Sequence, residues 1–127
     1  MKLLPPATLA LLIISACSSN SIDPIGSSLP AKISECETNT ARVCGVWVRK
    51  EGTNSYSATW SQNSTAIITV VRWDSNLVEL SRRDTGGPTP RMVARYIAIP
   101  RGESVTKGQV EWTNDDLTIY GTWDASW

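Results

Sequence analysis

Strict alternation of apolar and polar residues in one segment constrains the fold more than any other feature of the sequence. Every second residue of 117–127 is apolar or glycine, and these residues are Leu117, Ile119, Gly121, Trp123, Ala125 and Trp127. Successive side chains of a β-strand point to opposite faces, so this segment predicts a strand with one dry and one wet face. A shorter alternation at 56–60 predicts a second strand of the same kind.

Further strand candidates follow one another along the chain with turn sequences between them. The β-branched stretch 66–73 predicts a more buried strand, and weaker candidates lie at 46–50, 77–83, 92–99 and 105–112. Glycine, proline, asparagine and aspartate separate these segments, and no long helical period appears among them. The sequence therefore predicts an all-β domain, a small antiparallel meander of about seven strands arranged as a barrel or a sandwich.

The N-terminal segment has the composition of an export signal. Lys2 precedes an apolar run that ends at Ile14, which is shorter than the roughly 18 residues of a membrane-spanning helix. The run closes with Ile14-Ser15-Ala16-Cys17, which resembles the lipobox of bacterial lipoproteins. The resemblance implies that residues 1–16 are a signal peptide and that the Cys17 thiol carries a diacylglycerol. An ordinary secretory signal and a short membrane anchor remain the alternatives.

The same resemblance implies where the protein resides. Two or more acyl chains anchor a protein stably, so a lipidated Cys17 keeps the chain at a bacterial envelope membrane. Ser18 follows the cysteine, whereas an aspartate there tends to mark inner-membrane retention in lipoproteins of Gram-negative bacteria. The expected address is therefore the outer membrane if the source is Gram-negative.

Residues 17–35 are predicted to form the lipidated cysteine and a flexible tether. The segment is rich in serine, proline and glycine, and it offers too few apolar residues to offset the entropy of ordering it. An alternative is that its apolar residues Ile22, Ile25 and Leu29 pack onto the domain. Residues 36–127 are predicted to form the single all-β domain.

Two cysteines remain once Cys17 is assigned to the lipid. Exported compartments are oxidising, so Cys36 and Cys44 are predicted to form a disulfide. Metal binding by this pair is disfavoured because the spacing is wide and the sequence contains no histidine.

Three short motifs resemble the calycin group, which comprises lipocalins, avidins and small bacterial barrel inhibitors of proteases. These motifs are Gly45-Val46-Trp47, Gly108-Gln109-Val110-Glu111-Trp112 and Tyr120-Gly121-Thr122-Trp123. The resemblance implies an up-and-down β-barrel. The resemblance implies no particular ligand for this chain, since no ligand-contacting pattern of the group matches this sequence residue by residue.

The absence of histidine argues against most catalytic chemistry. Neither a Ser–His nor a Cys–His pair exists, and no phosphate-binding loop or calcium-loop spacing appears. Two carboxylate pairs remain possible, Asp115 with Asp116 and Glu111 with Asp124, of which the first is more simply a turn. We therefore expect no enzyme activity, no catalytic residue, no cofactor and no metal.

Tryptophan dominates the aromatic residues, with six Trp and no Phe. Trp combines a large apolar face with a hydrogen-bond donor, which suits both barrel cores and sugar binding. Four are predicted to fill the core: Trp47, Trp60, Trp123 and Trp127. Trp73 and Trp112 are the predicted exposed residues and the candidate ligand-binding residues.

Five arginines flank the 86–90 loop and form a candidate basic patch toward anionic lipid or lipopolysaccharide: Arg82, Arg83, Arg91, Arg95 and Arg101. Solvated strand faces account for them more simply. The formal net charge of the chain is +0, so nucleic acid is not an expected partner.

Three functions from different classes follow. The first is a non-enzymatic envelope lipoprotein that binds another protein or stabilises an envelope assembly. The second is a calyx-type or surface binder of a small apolar ligand or a glycan. The third is a tethered inhibitor of a protease or lysozyme, which requires a protruding loop such as 86–90.

Overall fold

The computed structural model describes residues 29–87 and 92–127, which form a closed antiparallel β-barrel. Consecutive strands pair with one another, and the first strand closes the barrel on the last. The eight strands are β1 (Lys32–Thr38), β2 (Arg42–Arg49), β3 (Ser55–Trp60), β4 (Thr65–Trp73), β5 (Val78–Gly86), β6 (Val93–Ala98), β7 (Ser104–Thr113) and β8 (Thr118–Ser126). The predicted all-β meander is confirmed, and the barrel is found rather than the sandwich. Among the described residues, no helix has the length and apolarity needed to cross a membrane.

Strand β1 was not among the predicted strands, and with it the domain begins earlier in the chain than predicted. The predicted tether extended to residue 35, but β1 begins at Lys32, so residues 32–35 belong to the barrel. Its inward positions are Ile33, Glu35 and Glu37, of which only the first is apolar, and the strand therefore lacks an apolar period. Leu29 also packs on the domain, with 7% of its surface exposed, whereas Cys17, Ile22 and Ile25 lie outside the described residues.

The predicted disulfide is confirmed between two adjacent strands. Cys36 in β1 faces Cys44 in β2 in the strand register, and their sulfur atoms are bonded. Both cysteines therefore lie within the barrel wall. A bridge of this short span stabilises a folded domain by about 2–3 kcal/mol.

Aromatic rings fill the middle of the barrel. The Trp47 ring centroid lies 6.2 Å from that of Trp123 and 5.5 Å from that of Tyr96, and Trp47 is fully buried. Trp60 joins the cluster at 6.4 Å from Trp47. The predicted core role of Trp47, Trp60 and Trp123 is confirmed, and Trp127 is half-buried against this core.

Each of three inward glycines leaves room for a tryptophan ring of a neighbouring strand. A Cβ atom at Gly45 would collide with the ring of Trp60, and one at Gly108 would collide with the ring of Trp123. Gly121 stands in the same relation to Trp112. The glycines of the three calycin-like motifs therefore serve ring packing inside the barrel.

The two ends of the barrel differ. We define the closed end as the turns 50–54, 74–77 and 99–103 with residues 29–31 and 127, and the open end as the turns 39–41, 61–64 and 114–117 with residues 87 and 92. At the closed end Leu29 is buried, Tyr56 donates a 2.6 Å hydrogen bond from its hydroxyl to the Pro30 carbonyl, and the rings of Trp73 and Trp127 lie 4.9 Å apart. The open end retains a cavity.

Candidate functional site

A cavity of about 440 Å³ lies inside the open end of the barrel. Residues from strands and turns line it, and they divide into an apolar and a polar set. The apolar set is Val43, Trp60, Met92, Trp112 and Ile119; the polar set is Glu37, Asn39, Thr40, Gln62, Ser64 and Arg82. Asn39, Thr40, Gln62 and Ser64 come from the turns at the rim, whereas Glu37 and Arg82 come from β1 and β5.

The floor of the cavity is a buried charge cluster centred on Arg82. Its Nη1 donates to Glu37 Oε1 and to the Tyr96 hydroxyl, both at 2.8 Å, and its Nε donates to Asp84 Oδ1 at 2.7 Å. The Tyr96 hydroxyl donates to the second oxygen of Glu37 at 2.8 Å. The Arg82 guanidinium also lies 3.9 Å above the Trp60 ring, where a cation–π interaction holds it. Bonds from three strands thus fix one guanidinium.

Glu35 lies beside this cluster and is a protonated acid. Its Oε2 accepts a 2.9 Å hydrogen bond from Trp60 Nε1, and only 1% of the residue is exposed. Burial, followed by the hydrogen bond and charge of Glu37, raises the pKa of Glu35 from 4.5 to about 10. Glu35 Oε1 has no hydrogen-bond partner among the described residues. We infer that this oxygen carries the proton, because Oε2 already accepts from Trp60.

Burial and neighbouring charges also shift the pKa values of Arg82, Tyr96 and Asp84. Burial lowers the pKa of Arg82, but Tyr96 and Glu37 outweigh it, and the pKa is raised overall. Burial, together with Glu37, raises the pKa of Tyr96 well above its ordinary value, so this hydroxyl stays neutral. Burial also raises the pKa of Asp84, against the opposing effect of Arg82. The floor therefore holds one guanidinium between two acidic groups, with a neutral Glu35 beside them.

Replacing Glu35 with glutamine is expected to flatten the dependence of stability on pH. Below pH 4.5 both folded and unfolded chains hold the Glu35 proton, but above it only the folded chain does, because its pKa is about 10. Folding must then take up a proton, and stability falls by up to about 1.4 kcal/mol for each pH unit across this window. Urea unfolding of Glu35→Gln between pH 5 and pH 8 measures the difference.

Glutamine suits this test because its amide oxygen can accept from Trp60 Nε1 as the acid does, and the amide carries no charge at any pH. The variant is expected to gain stability over the natural chain as the pH rises. An unchanged slope of stability against pH would show that Glu35 is ionised in the folded protein.

Sequence reasoning missed this cluster for two reasons. Glu35 was assigned to the tether, and Arg82 to a surface patch of arginines. The structure corrects the second assignment, because Arg82 is buried on the inner face while Arg83, Arg95 and Arg101 point outward. Arg91 lies outside the described residues. The missed signal is the alternation of Val78, Leu80, Arg82 and Asp84, which puts two charged residues on the dry face of β5.

The structure places the two candidate ligand-binding tryptophans at opposite ends of the barrel. Trp73 ends β4 at the closed end, where it is half-buried against Trp127. Trp112 lies near the end of β7 and lines the open cavity. The predicted exposure of Trp112 is wrong, because only 8% of its surface is exposed and its ring packs over Gly121. A ligand role for either residue stays a prediction.

Neither predicted carboxylate pair forms a cleft. Asp115 and Asp116 lie in the turn after β7, where the Asp116 amide donates to Asn114 Oδ1. Glu111 faces Tyr120 across the strand pair, while Asp124 receives two hydrogen bonds from Arg42. Among the described residues, no group of His, Cys, Asp and Glu is arranged to hold a metal ion.

The outer wall also carries depressions, and two of them are comparable with the cavity in size. One of 540 Å³ lies over β4 to β7, and one of 470 Å³ lies over β1, β2, β7 and β8 beside the disulfide. Outward strand residues make up most of the lining of both, whereas the open-end cavity is lined by inward strand residues and by residues of the turns. Comparison with known protein families, curated proteins and solved structures finds no match for this chain.

Proposed function

We propose that this chain is a lipid-anchored, non-enzymatic binding protein that takes a small neutral ligand, such as a sugar ring, into the open end of its barrel. The observation that carries the proposal is the open cavity with a hydrogen-bonded Arg82 at its floor. Its volume of about 440 Å³ suits a small molecule, since ligand pockets commonly measure about 300–1,000 Å³.

The charges at the floor favour a neutral ligand over an ion. An anion that approached Arg82 would also meet Glu37 and Asp84, which lie within 2.8 Å of the guanidinium. A cation would meet Arg82 itself. A neutral hydroxyl or amide group avoids both repulsions and can both donate and accept hydrogen bonds.

The rim supplies hydrogen-bonding groups to match. Asn39 and Gln62 each carry an amide with donors and an acceptor, and Thr40 and Ser64 add hydroxyls. At the floor, Arg82 Nη2 makes no hydrogen bond to the described residues. Polyhydroxylated rings use such planar amide and guanidinium groups together with an apolar wall, which Trp112 and Ile119 provide here. These features favour the glycan alternative over an apolar ligand.

Calorimetric titration of the protein with neutral sugars tests the proposal. Glucose, N-acetylglucosamine and their disaccharides are expected to bind more tightly than the anionic glucuronic acid and the cationic glucosamine. Gln62→Ala and Asn39→Ala are each expected to weaken binding by about tenfold, because each removes hydrogen bonds from the ligand without disturbing the core.

Asn76→Ala is the matched control, since Asn76 is an exposed amide in a turn of the closed end. It should leave sugar affinity unchanged. Absence of binding by all the sugars, or an equal loss in Asn76→Ala, would refute the assignment of the site.

Protein binding is the second candidate function, and one surface feature favours it. Tyr120 on the outer wall of β8 is 70% exposed, Leu117 beside it is 52% exposed, and a groove of 370 Å³ adjoins Tyr120. Exposed aromatic residues next to a groove are typical of protein contacts. A photo-crosslinker at position 120 in the native envelope is expected to capture one partner, and a crosslinker at Thr69 on the opposite wall should not.

The predicted inhibitory loop 86–90 lies largely outside the described residues.

A further inference from the structure

The closed end of the barrel carries a positive charge balance. Five basic and three acidic side chains belong to this end, which here includes its turns, the strand residues next to them and Arg72, the partner of Asp74. The basic residues are Lys32, Arg49, Lys50, Arg72 and Arg101, and the acidic ones are Glu51, Asp74 and Glu103. Asp74 is bonded to Arg72 at 2.7 Å, so the remaining basic residues exceed the remaining acidic ones by two.

The open end has the opposite balance over its described residues. Arg42 is the basic residue there, and it is paired with Asp124 at 2.8 Å. Asp115 and Asp116 are exposed in the turn after β7 and have no basic partner among the described residues. Over the described residues, charge is therefore polarised along the barrel axis, although the formal net charge of the chain is +0.

Two further features coincide with the positive end. Ile99 projects from the turn before β7 with 70% of its surface exposed, and Val48 and Val71, toward the closed end of β2 and β4, are about half exposed, at 52% and 53%. The N-terminal part of the chain, which contains Cys17, joins the barrel at Leu29 on this same end. An exposed apolar residue on a face with an excess of basic side chains is the composition that interfacial lipid-binding surfaces use.

We propose that the closed end rests on an anionic lipid surface, with Ile99 at the acyl boundary and Lys32, Lys50 and Arg101 at the headgroups. Basic side chains bind anionic headgroups. They supplement a lipid anchor that holds the domain at the membrane without fixing its orientation. This arrangement turns the open cavity away from the bilayer. The inference rests on the anchoring part of the proposed function and is independent of the ligand.

Spin labels at the two ends of the lipidated protein test the orientation. Ile99→Cys and Leu117→Cys form a matched pair, because both side chains are exposed in turns at opposite ends. With Cys17 acylated and Cys36 bonded to Cys44, each variant offers one free thiol for the label. The vesicles contain phosphatidylglycerol. The label at position 99 is expected to be relaxed by oxygen dissolved in the lipid, whereas the label at position 117 is expected to be relaxed by a water-soluble reagent.

Charge and lipid composition provide the controls. Vesicles of phosphatidylcholine alone, or the double variant Lys50→Glu/Arg101→Glu, are expected to lower the ratio of docked to free domain by about tenfold or more. Arg83→Glu on the outer wall should not change it. The proposal is overturned if the label at position 99 behaves alike in both vesicles, or if the label at position 117 is the one nearer the lipid.

The result is separable from lipidation itself. Mass spectrometry of the purified protein shows whether Cys17 is acylated. A Cys17→Ser chain held to nickel-chelating lipid by an N-terminal polyhistidine tag tests the surface without the acyl chains. If Cys17 of the natural protein is not acylated but the tagged chain docks, the proposed anchor is wrong and the proposed surface stands. If Cys17 is acylated but the protein does not dock, the anchor stands and the surface is wrong.

Discussion

Replacing Arg82 with methionine is expected to lower the free energy of unfolding by about 3–5 kcal/mol, because the change leaves two buried acidic groups without their counter-ion. Glu37 and Asp84 have side chains only 10% and 3% exposed, so both have lost most of their hydration and depend on the guanidinium instead. Methionine fills much of the same volume and retains contact with the Trp60 ring. Denaturant unfolding followed by circular dichroism measures the loss.

Charge removal on the partners should rescue this variant. In Arg82→Met/Glu37→Gln/Asp84→Asn no buried charge remains unpaired, and the triple variant is expected to recover most of the lost stability. Such recovery is known for buried ion pairs that are replaced as a set, since the cost lies mainly in the abandoned charge. A triple variant as unstable as Arg82→Met would mean that the guanidinium acts through packing on Trp60 rather than through its charge.

The fold follows from alternation wherever the inward residues are apolar. The alternating segment 117–127 predicts β8, which spans Thr118–Ser126, and the alternation at 56–60 predicts β3, which spans Ser55–Trp60. Alternation is a local property of the chain, and it fixes which face is dry before any partner strand is known. Barrel closure is not local, because it depends on β1 pairing with β8 across the whole sequence.

The candidate site is the part that the sequence conceals. Glu35, Glu37 and Arg82 take the inward positions that an apolar residue would otherwise occupy, so the strands that carry them read as polar. Their burial is tolerated only because residues remote in sequence meet: Arg82 lies 45 positions from Glu37 and 14 from Tyr96. Such mutual compensation cannot be deduced from either strand alone.

Gly108→Ala is expected to lower the free energy of unfolding by about 3 kcal/mol, near the upper end for overpacking in a core. The new methyl group would lie 2.6 Å from Cδ1 of Trp123, well inside van der Waals contact. The indole has little room to retreat. Its other neighbours include the stacked ring of Trp47 at 6.2 Å, and its Nε1 donates a 3.3 Å hydrogen bond to the Ile97 carbonyl. Thermal unfolding should show a melting temperature lower by about 10–20 °C.

Two comparisons separate this steric effect from the ordinary cost of losing a glycine. Gly102→Ala replaces a turn glycine with φ +61° and open space around it, so about 1 kcal/mol of backbone strain is the expected loss. In Gly108→Ala/Trp123→Leu the ring that opposes the methyl group is absent. If the clash carries the effect, the double variant should lose at least 1 kcal/mol less than the sum of its single variants, as contacting residues do. Additive losses would instead place the cost of Gly108→Ala in the β7 backbone, where the strand is already bulged between Val105 and Gly108.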